Sequence, residues 1–343
     1  MTALRFGVLG CAEIARRRML PAMAAGSATT VTAVAGRDRA KAERTAAPYG
    51  AAAVQGYAAL LERDDVDAVY VPLPAALHAP WVERALRAGK HVLAEKPLTT
   101  DAVDTARLLD LAKERGLVLR ENVMFVHHSQ HAAVASVVRG GVIGELRAFQ
   151  AAFTIPRLPG TDIRHRPELG GGALFDVGVY PLRAALTHLG HDLRVLGAQL
   201  TGGPGDEVDT AGAALLSTPT GVTAQLTFGM DHGYRSGYEL HGSLGRISLD
   251  AAYTPRADHR PRLVVQTRAG VEESLLEADD QVANTVAAFA EAVRTGGPPE
   301  EVSRVQAELL ASLRQVAGLG APGDHSPATA ADSRVSSADS SSA

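Results

Sequence analysis

A chain of 343 residues, 46% of them apolar, is long enough for two domains that each bury a core. A net charge of -4 and a pI near 6.3 give no general attraction to nucleic acid or to an anionic membrane, so neither is expected as a partner. The single cysteine, Cys11, excludes an internal disulfide framework and points to a reducing, cytoplasmic compartment, and neither a signal pattern before Leu4 nor an apolar run of ~20 residues suggests export or a membrane span.

The first third alternates short β-rich apolar runs with helical stretches, the pattern of βαβ units around a parallel sheet. Strands are expected over residues 5–9, 30–35, 68–71, 91–94 and 118–119, and helices over 14–25, 40–49, 57–62, 80–88 and 101–115. In the last helix Thr99, Thr100 and Asp101 offer capping oxygens, Val103, Leu108, Leu109 and Leu111 recur on an apolar face, and Gly116 closes the end. Lys113 and Arg115 suit the negative end of its dipole.

Beyond about Glu121 the texture changes. A helix over 131–139 stops at Gly140-Gly141, a strand follows over 146–154, and another helix is expected to open at Gly170-Gly171-Gly172. From 194 to 266, Gly, Pro and Asp turns separate strand-like runs at 195–200, 210–216, 221–228, 236–242, 246–249 and 262–266, which predicts a mainly antiparallel sheet. Helices return over 281–295 and 299–317, and the Ser-, Ala- and Asp-rich end is expected to be disordered. The expected class is α/β: an N-terminal Rossmann doubly wound parallel sheet over 1–120, then an α+β domain with an open, mostly antiparallel sheet over 121–318, then a tail over 319–343.

The first strand ends at Leu9, and the turn Gly10-Cys11-Ala12-Glu13-Ile14-Ala15 is a G-x-G-x-x-G fingerprint with alanine at its second and third glycine positions. Small residues there let the backbone approach a pyrophosphate, which the following helix meets with its N-terminal N–H groups. The alternative is an ordinary tight βα turn. An NAD site usually ends the second strand with a carboxylate for the ribose 2′-hydroxyl, but this strand runs Val34-Ala35-Gly36-Arg37, with Arg39 and Lys41 close behind. A guanidinium pairs with a 2′-phosphate, so NADP(H) is expected, with Gly10, Ala12, Glu13, Ile14 and Arg37 at the site. The alternative is a solvated Arg37 partnered by Asp38.

Glu95-Lys96-Pro97 follows the strand at 91–94, where ligands bind in open parallel sheets. Glu95 is expected to pair with Lys96 or hold the nicotinamide ribose, and the Lys96-Pro97 bond is a candidate for cis. Downstream, Asp176 and Tyr180 stand four residues apart on one helix face. An ammonium near a phenol favours the phenolate, so Lys96 beside Tyr180 would lower its pKa and ease proton donation. The bland alternative is a packed core tyrosine. Leu73, Pro74 and His78 fit a loop over the cofactor, although a lone histidine is more often structural. Asn122, His127 and His128 follow the last strand and face the cleft in this reading. No Cys, Asp or Glu cluster supports a metal. The basic stretch Arg157, Arg164, His165 and Arg166 either receives a diphosphate or is a solvated loop.

Together, Gly10-Cys11-Ala12-Glu13-Ile14-Ala15, the Leu73-Pro74…His78 loop, Glu95-Lys96-Pro97 and the glycine-rich…Asp176…Tyr180 segment resemble the glucose–fructose oxidoreductase, inositol dehydrogenase and rhizopine catabolism (Gfo/Idh/MocA) family, over roughly residues 4–318. The resemblance implies a Rossmann domain, an open-faced sheet often used for dimerisation and hence a homo-oligomer, and a substrate carbonyl held over the nicotinamide. Inositol dehydrogenase-like members carry histidine four residues after the aspartate; here Tyr180 stands there. With the run from Glu121 to His128, the chain is similar instead to the dTDP-sugar 3-ketoreductases of actinomycete deoxysugar pathways. That resemblance implies dTDP-3,4-diketo-2,6-dideoxyglucose as substrate, hydride delivered from NADPH to C3, and Tyr180 as proton donor. Lys96 would orient the carbonyl and tune the tyrosine, and Asp176 would hold a sugar hydroxyl or a water on the neighbouring keto group, with His127 and Arg164 also on the substrate. The alternatives are a dihydrodiol or xylose-type dehydrogenase using the same pair, and a non-catalytic NADP-binding regulator, for which degenerate catalytic positions would be expected.

Overall fold

Strands β1 (Leu4–Leu9), β2 (Thr29–Gly36), β3 (Ala52–Gln55), β4 (Ala68–Val71), β5 (His91–Glu95) and β6 (Leu119–Asn122) pair in parallel in the order β3-β2-β1-β4-β5-β6. The order reverses between β1 and β4, so the loops leaving these neighbours frame the crevice in which such sheets bind ligands. The structure, a computed structural model, describes residues 2–297 and 300–319; the expected tail lies outside them apart from Leu319.

Helices cover both faces of this sheet: α1 (Leu20–Ala25), α2 (Arg39–Ala46), α3 (Tyr57–Leu61), α4 (His78–Arg87) and α5 (Ala102–Glu114). Phe6, Val8 and Val34 pack on one side with Met19, Leu20, Met23 and Ala42. Leu9, Ala35, Val69 and Val71 pack on the other with Leu60, Val82, Leu86 and Leu108. Burial on both sides explains why these strands read as unbroken apolar runs. Asp101 caps α5, its Oδ1 accepting from the N–H groups of Val103 (2.7 Å) and Asp104 (3.1 Å). Val103, assigned to the apolar face, is instead exposed in that first turn.

The second sheet is built from β7 (Leu146–Thr154), β8 (Arg194–Thr201), β9 (Ala211–Ser217), β10 (Thr223–Gly229), β11 (Arg235–Gly242), β12 (Gly245–Asp250), β13 (Arg262–Thr267) and β14 (Gly270–Leu275). They run β14-β13-β12-β11-β7-β10-β9-β8, antiparallel except for the β7–β10 pair. Of the helices α6 (Ser129–Arg139), α7 (Val179–Leu189), α8 (Gln281–Thr295) and α9 (Glu301–Val316), α7 and α9 close one face, where Leu182, Leu186 and Leu310 meet Phe149, Phe153, Phe228 and Leu240. The other face carries polar pairs: Gln150 donates to Gln225 across the strands, and Arg246 pairs with Glu239.

Helix α8 leaves this domain. Its Val282, Val286 and Phe289 enter the first core, with the Phe289 ring 5.6 Å from that of Phe6. The first core is completed by residues far downstream of the expected division near residue 120. Strands β3 and β14 were not anticipated: β3 is short and alanine-rich, and β14 is an edge strand exposed along nearly its whole length.

Candidate active site

Every expected N-terminal site element lies at the carboxyl edge of the parallel sheet. Gly10 follows β1, Leu73 and Pro74 follow β4, Lys96 follows β5, and Asn122 ends β6. Gly10 has φ +123°, and a Cβ on it would stand 3.1 Å from Leu73 Cδ2, so the turn accepts only glycine without strain. A π-helical turn, Ala15–Met19, runs directly into α1. Gly36 closes β2 where an acidic side chain would otherwise stand; a Cβ there would meet Asp38 O at 3.1 Å and Cys11 Sγ at 3.4 Å. Asp38 spends its Oδ1 on the Lys41 N–H as the cap of α2, and Arg39 pairs with Glu43. Arg37 is exposed beside the Tyr57 hydroxyl, where its charge partly offsets the rise in that phenol's pKa caused by burial. Glu13 is exposed on the turn and pairs with Arg17.

A dinucleotide fits this edge on one further observation: Asn122 Oδ1 is buried and lacks a hydrogen-bond partner among the described residues. A buried acceptor left unpaired is costly, which suits one that receives a ligand donor. The Asn122 amide Nδ2 donates to Glu95 Oε1 at 2.6 Å, and the Tyr70 hydroxyl donates to the same oxygen at 2.5 Å. Glu95 therefore belongs to a buried triad and is not the partner expected for Lys96. Tyr70 escaped the sequence reading; its signal was a hydroxyl inside the apolar run of β4.

His78 also departs from expectation. Its ring is buried, with Nδ1 2.8 Å from Pro97 O and Nε2 2.7 Å from Leu73 O. Burial lowers its pKa. The side chain thus faces inward and ties the loop after β4 to the Lys96-Pro97 turn, whose peptide bond is cis.

The downstream half is set by Gly172. At φ +117°, a Cβ on this residue would lie 2.4 Å from Asp209 Oδ1. Asp209 caps the helix start, its Oδ2 accepting from Leu174 N–H at 2.7 Å and its carbonyl from Ala173 N–H at 2.7 Å. A second π-helical turn, Leu174–Gly178, leads into α7. Asp176 lies on that turn and Tyr180 in the first turn of α7. Single π turns recur at functional sites, and here both precede the helices that frame the cleft.

Lys96 joins the halves. Its Nζ donates to Asp176 Oδ1 at 2.8 Å and to the Asp176 carbonyl at 2.7 Å, and Arg164 Nε donates to Asp176 Oδ2 at 2.6 Å. The Lys96 and Asp176 side chains are only 13% and 16% exposed, so this pairing is weakly screened. Burial alone would lower the Lys96 pKa, but Asp176 outweighs it and holds the ammonium above its ordinary range. Burial would likewise raise Asp176, yet Lys96 and Arg164 hold it below. Asp162 pairs with Arg164 as well, so the charges of the cluster cancel, and an ammonium with three donors has one left for a ligand oxygen.

Tyr180 packs among Phe125, Phe153 and Tyr253, with ring centres at 6.1, 4.8 and 5.7 Å, and Lys96 Nζ stands 5.4 Å from its ring centre. Its pKa corrects the expectation of a lowered phenol: burial raises it, and the opposing pull of Lys96 does not reverse that. The phenol is thus held protonated at neutral pH.

The remaining candidates have partners within the chain. Arg164 also donates to Asp162, and Arg157 pairs with Asp231 and Asp206, while Arg166 pairs with Glu168, so the three arginines of the basic stretch are already matched by carboxylates. His127 offers its carbonyl to Asn284 Nδ2 at 3.0 Å, and no bond joins its ring to Lys96, Asp176 or Tyr180 among the described residues. His128 caps α6 by accepting from Gln130 N–H.

Residues 4–123 match the oxidoreductase family with an NAD-binding Rossmann fold, and residues 131–248 match the GFO/IDH/MocA C-terminal domain. The chain is 59% identical over 316 residues to a dTDP-3,4-didehydro-2,6-dideoxy-alpha-D-glucose 3-reductase of Streptomyces violaceoruber, covering 91% of this chain and 92% of that one. It is 53% identical to the enzyme of the same name from Actinomadura kijaniata, covering 91% and 95%. It is also 36% identical to a D-xylose 1-dehydrogenase (NADP(+)) of Haloferax volcanii, covering 86% and 91%. A crystal structure of KijD10, a 3-ketoreductase from Actinomadura kijaniata in complex with NADP and TDP-benzene, superposes with a TM-score of 0.89 at 52% identity, covering 92% of this chain and 98% of that one.

Proposed function

This chain belongs to the Gfo/Idh/MocA oxidoreductase family, and on that premise we propose that it reduces the C3 ketone of dTDP-3,4-didehydro-2,6-dideoxy-α-D-glucose with NADPH. The observation that carries the reading is the union of Lys96 with Asp176, Arg164 and Tyr180 across two halves of the chain, beside an edge suited to a dinucleotide. Bound NADPH supplies the hydride that C3 accepts. The residues of the chain then do three things. The free donor of Lys96 orients the carbonyl and its charge favours the growing alkoxide. The protonated Tyr180 hydroxyl gives its proton to that oxygen, leaving a C3 hydroxyl. Asp176 keeps the lysine charged and aimed, with Arg164 fixing its second oxygen. The assignment of Arg37 to the 2′-phosphate is supported by the glycine that ends β2 and by the spent carboxylate of Asp38.

The test is NADPH consumption when the purified protein meets the diketo sugar generated in situ, with Tyr180→Phe run alongside. Turnover by the wild type and a loss of roughly 10²- to 10⁴-fold in the variant are expected. Normal NADPH binding without turnover would remove this substrate and redirect the search to unmodified sugars and diols.

A further inference from the structure

We infer that Glu121 is a positioning residue whose buried carboxylate sets the spacing between Lys96 and Tyr180, an inference that rests on the catalytic reading of those two. Glu121 lies in β6 with its side chain 1% exposed. Its Oε1 accepts from Leu98 N–H at 3.0 Å and from Gln306 Nε2 at 2.8 Å. Its Oε2 accepts from Ser303 Oγ at 2.7 Å and from Arg183 Nη2. Leu98 is two residues after Lys96, and Arg183 is three residues after Tyr180 on α7, less than one helical turn away. One carboxylate therefore grips the backbone behind the catalytic lysine and the helix that carries the catalytic tyrosine. Gln306 and Ser303 of α9 complete the clamp, and both also bind Arg183, at 2.7 Å from its Nε and 3.1 Å from its Nη2. The Glu121 N–H in turn donates to Glu300 Oε2 at 2.6 Å.

Stability alone does not account for such a site. A buried ion pair recovers little more than its desolvation cost, and apolar residues of equal volume often do as well. What apolar packing does not provide is directional contact with three chain segments at once. Lys96 comes from a loop of the first sheet and Tyr180 from a helix of the second, so their separation depends on what ties these segments together.

The test uses the full chain with Glu121→Gln, which keeps the shape and an acceptor for Leu98 but removes the charge facing Arg183. A misplacement of about 1 Å costs on the order of 10²-fold in rate. The expected result is a kcat lower by roughly 10- to 100-fold with the NADPH Kd within about twofold of wild type, a split that general unfolding would not produce. Amide hydrogen exchange should rise in the segment around Leu98 and in α7, leaving β1 and β2 unchanged. An unchanged kcat, or exchange rising evenly along the chain, overturns the inference. Should Glu121→Gln not fold, Ser303→Ala removes one of the four donors; the same two segments should exchange faster, with a smaller loss of kcat, and unaltered exchange there overturns the inference as well. Because exchange needs no substrate, a wild type without turnover would sink the reductase reading while exchange still decides the clamp.

Discussion

Lys96 binds Asp176 twice, through the carboxylate at 2.8 Å and through the main-chain carbonyl at 2.7 Å. Two bonds to one residue fix direction as well as charge. The ammonium is steered by a π-helical turn of the opposite half, and the third donor is the one that a substrate oxygen would meet.

Asp176→Asn keeps an acceptor but removes the charge that holds the Lys96 pKa above its ordinary range. With burial then unopposed by that carboxylate, the lysine should lose its proton at lower pH. The alkaline limb of kcat against pH should move downward, and kcat at neutral pH should fall by roughly 10- to 100-fold. A pH profile superimposable on that of the wild type would refute the role given to Asp176.

Arg37→Ala should discriminate between the nicotinamide cofactors. A charge-assisted contact to the 2′-phosphate is worth about 1.5–3 kcal/mol, so the Kd for NADPH should rise by roughly 10- to 100-fold while that for NADH stays put. Titration by the quenching of protein fluorescence reads both constants. Equal weakening of the two cofactors would mean that Arg37 does not read the phosphate.

Glu300 provides a pH dependence of stability. Burial pushes its carboxyl up from 4.5 to about 7, against the pull of Arg183 and the Glu121 N–H. The folded chain thus holds this proton longer than the unfolded chain. The resulting stability is present in full below pH 4.5 and is lost as pH rises through about 7. Glu300→Gln stays neutral and should melt higher than wild type at pH 8, with the gap closing near pH 5. Parallel melting curves across that range would count against the shift.

Gly172→Ala tests the helix start. The new Cβ would lie 2.4 Å from Asp209 Oδ1 on a backbone at φ +117°, and Asp209 is the cap of the following turn. Strain of about 1–3 kcal/mol, with a weakened cap, should lower the Tm by several degrees. Calorimetry showing an unchanged Tm would mean that the loop relaxes freely.

The parallel sheet was legible in the sequence because its strands are buried on both sides and its glycines mark the turns. Gly10 and the β2 ending Gly36-Arg37 could be read from the chain alone, since each concerns backbone room or the absence of a carboxylate beside it in sequence. Edge strands β3 and β14 were not, because an edge needs no inward-facing apolar row. Lys96 and Tyr180 were singled out from their places on strand and helix, and the structure brings them together. Their electrostatics were not legible: whether Tyr180 is raised or lowered depends on how burial weighs against one ammonium, a balance written in depth and not in spacing. The contacts of Arg164 and Glu95 were not legible either, since their partners Asp176, Tyr70 and Asn122 lie 12 to 27 residues away.

Helix α8 restricts how such proteins can be recombined. Its Phe289 rests on Phe6, and Val282 and Val286 fill the same core, so the nucleotide-binding half is finished by a stretch encoded some 160 residues after β6. A chimaera joined at a single seam near residue 120 would lay a relative's helix on this core, mismatching side chains fitted to each other. Clean transplantation of the substrate half between relatives must also cut on both sides of α8 and leave that helix with its native partner.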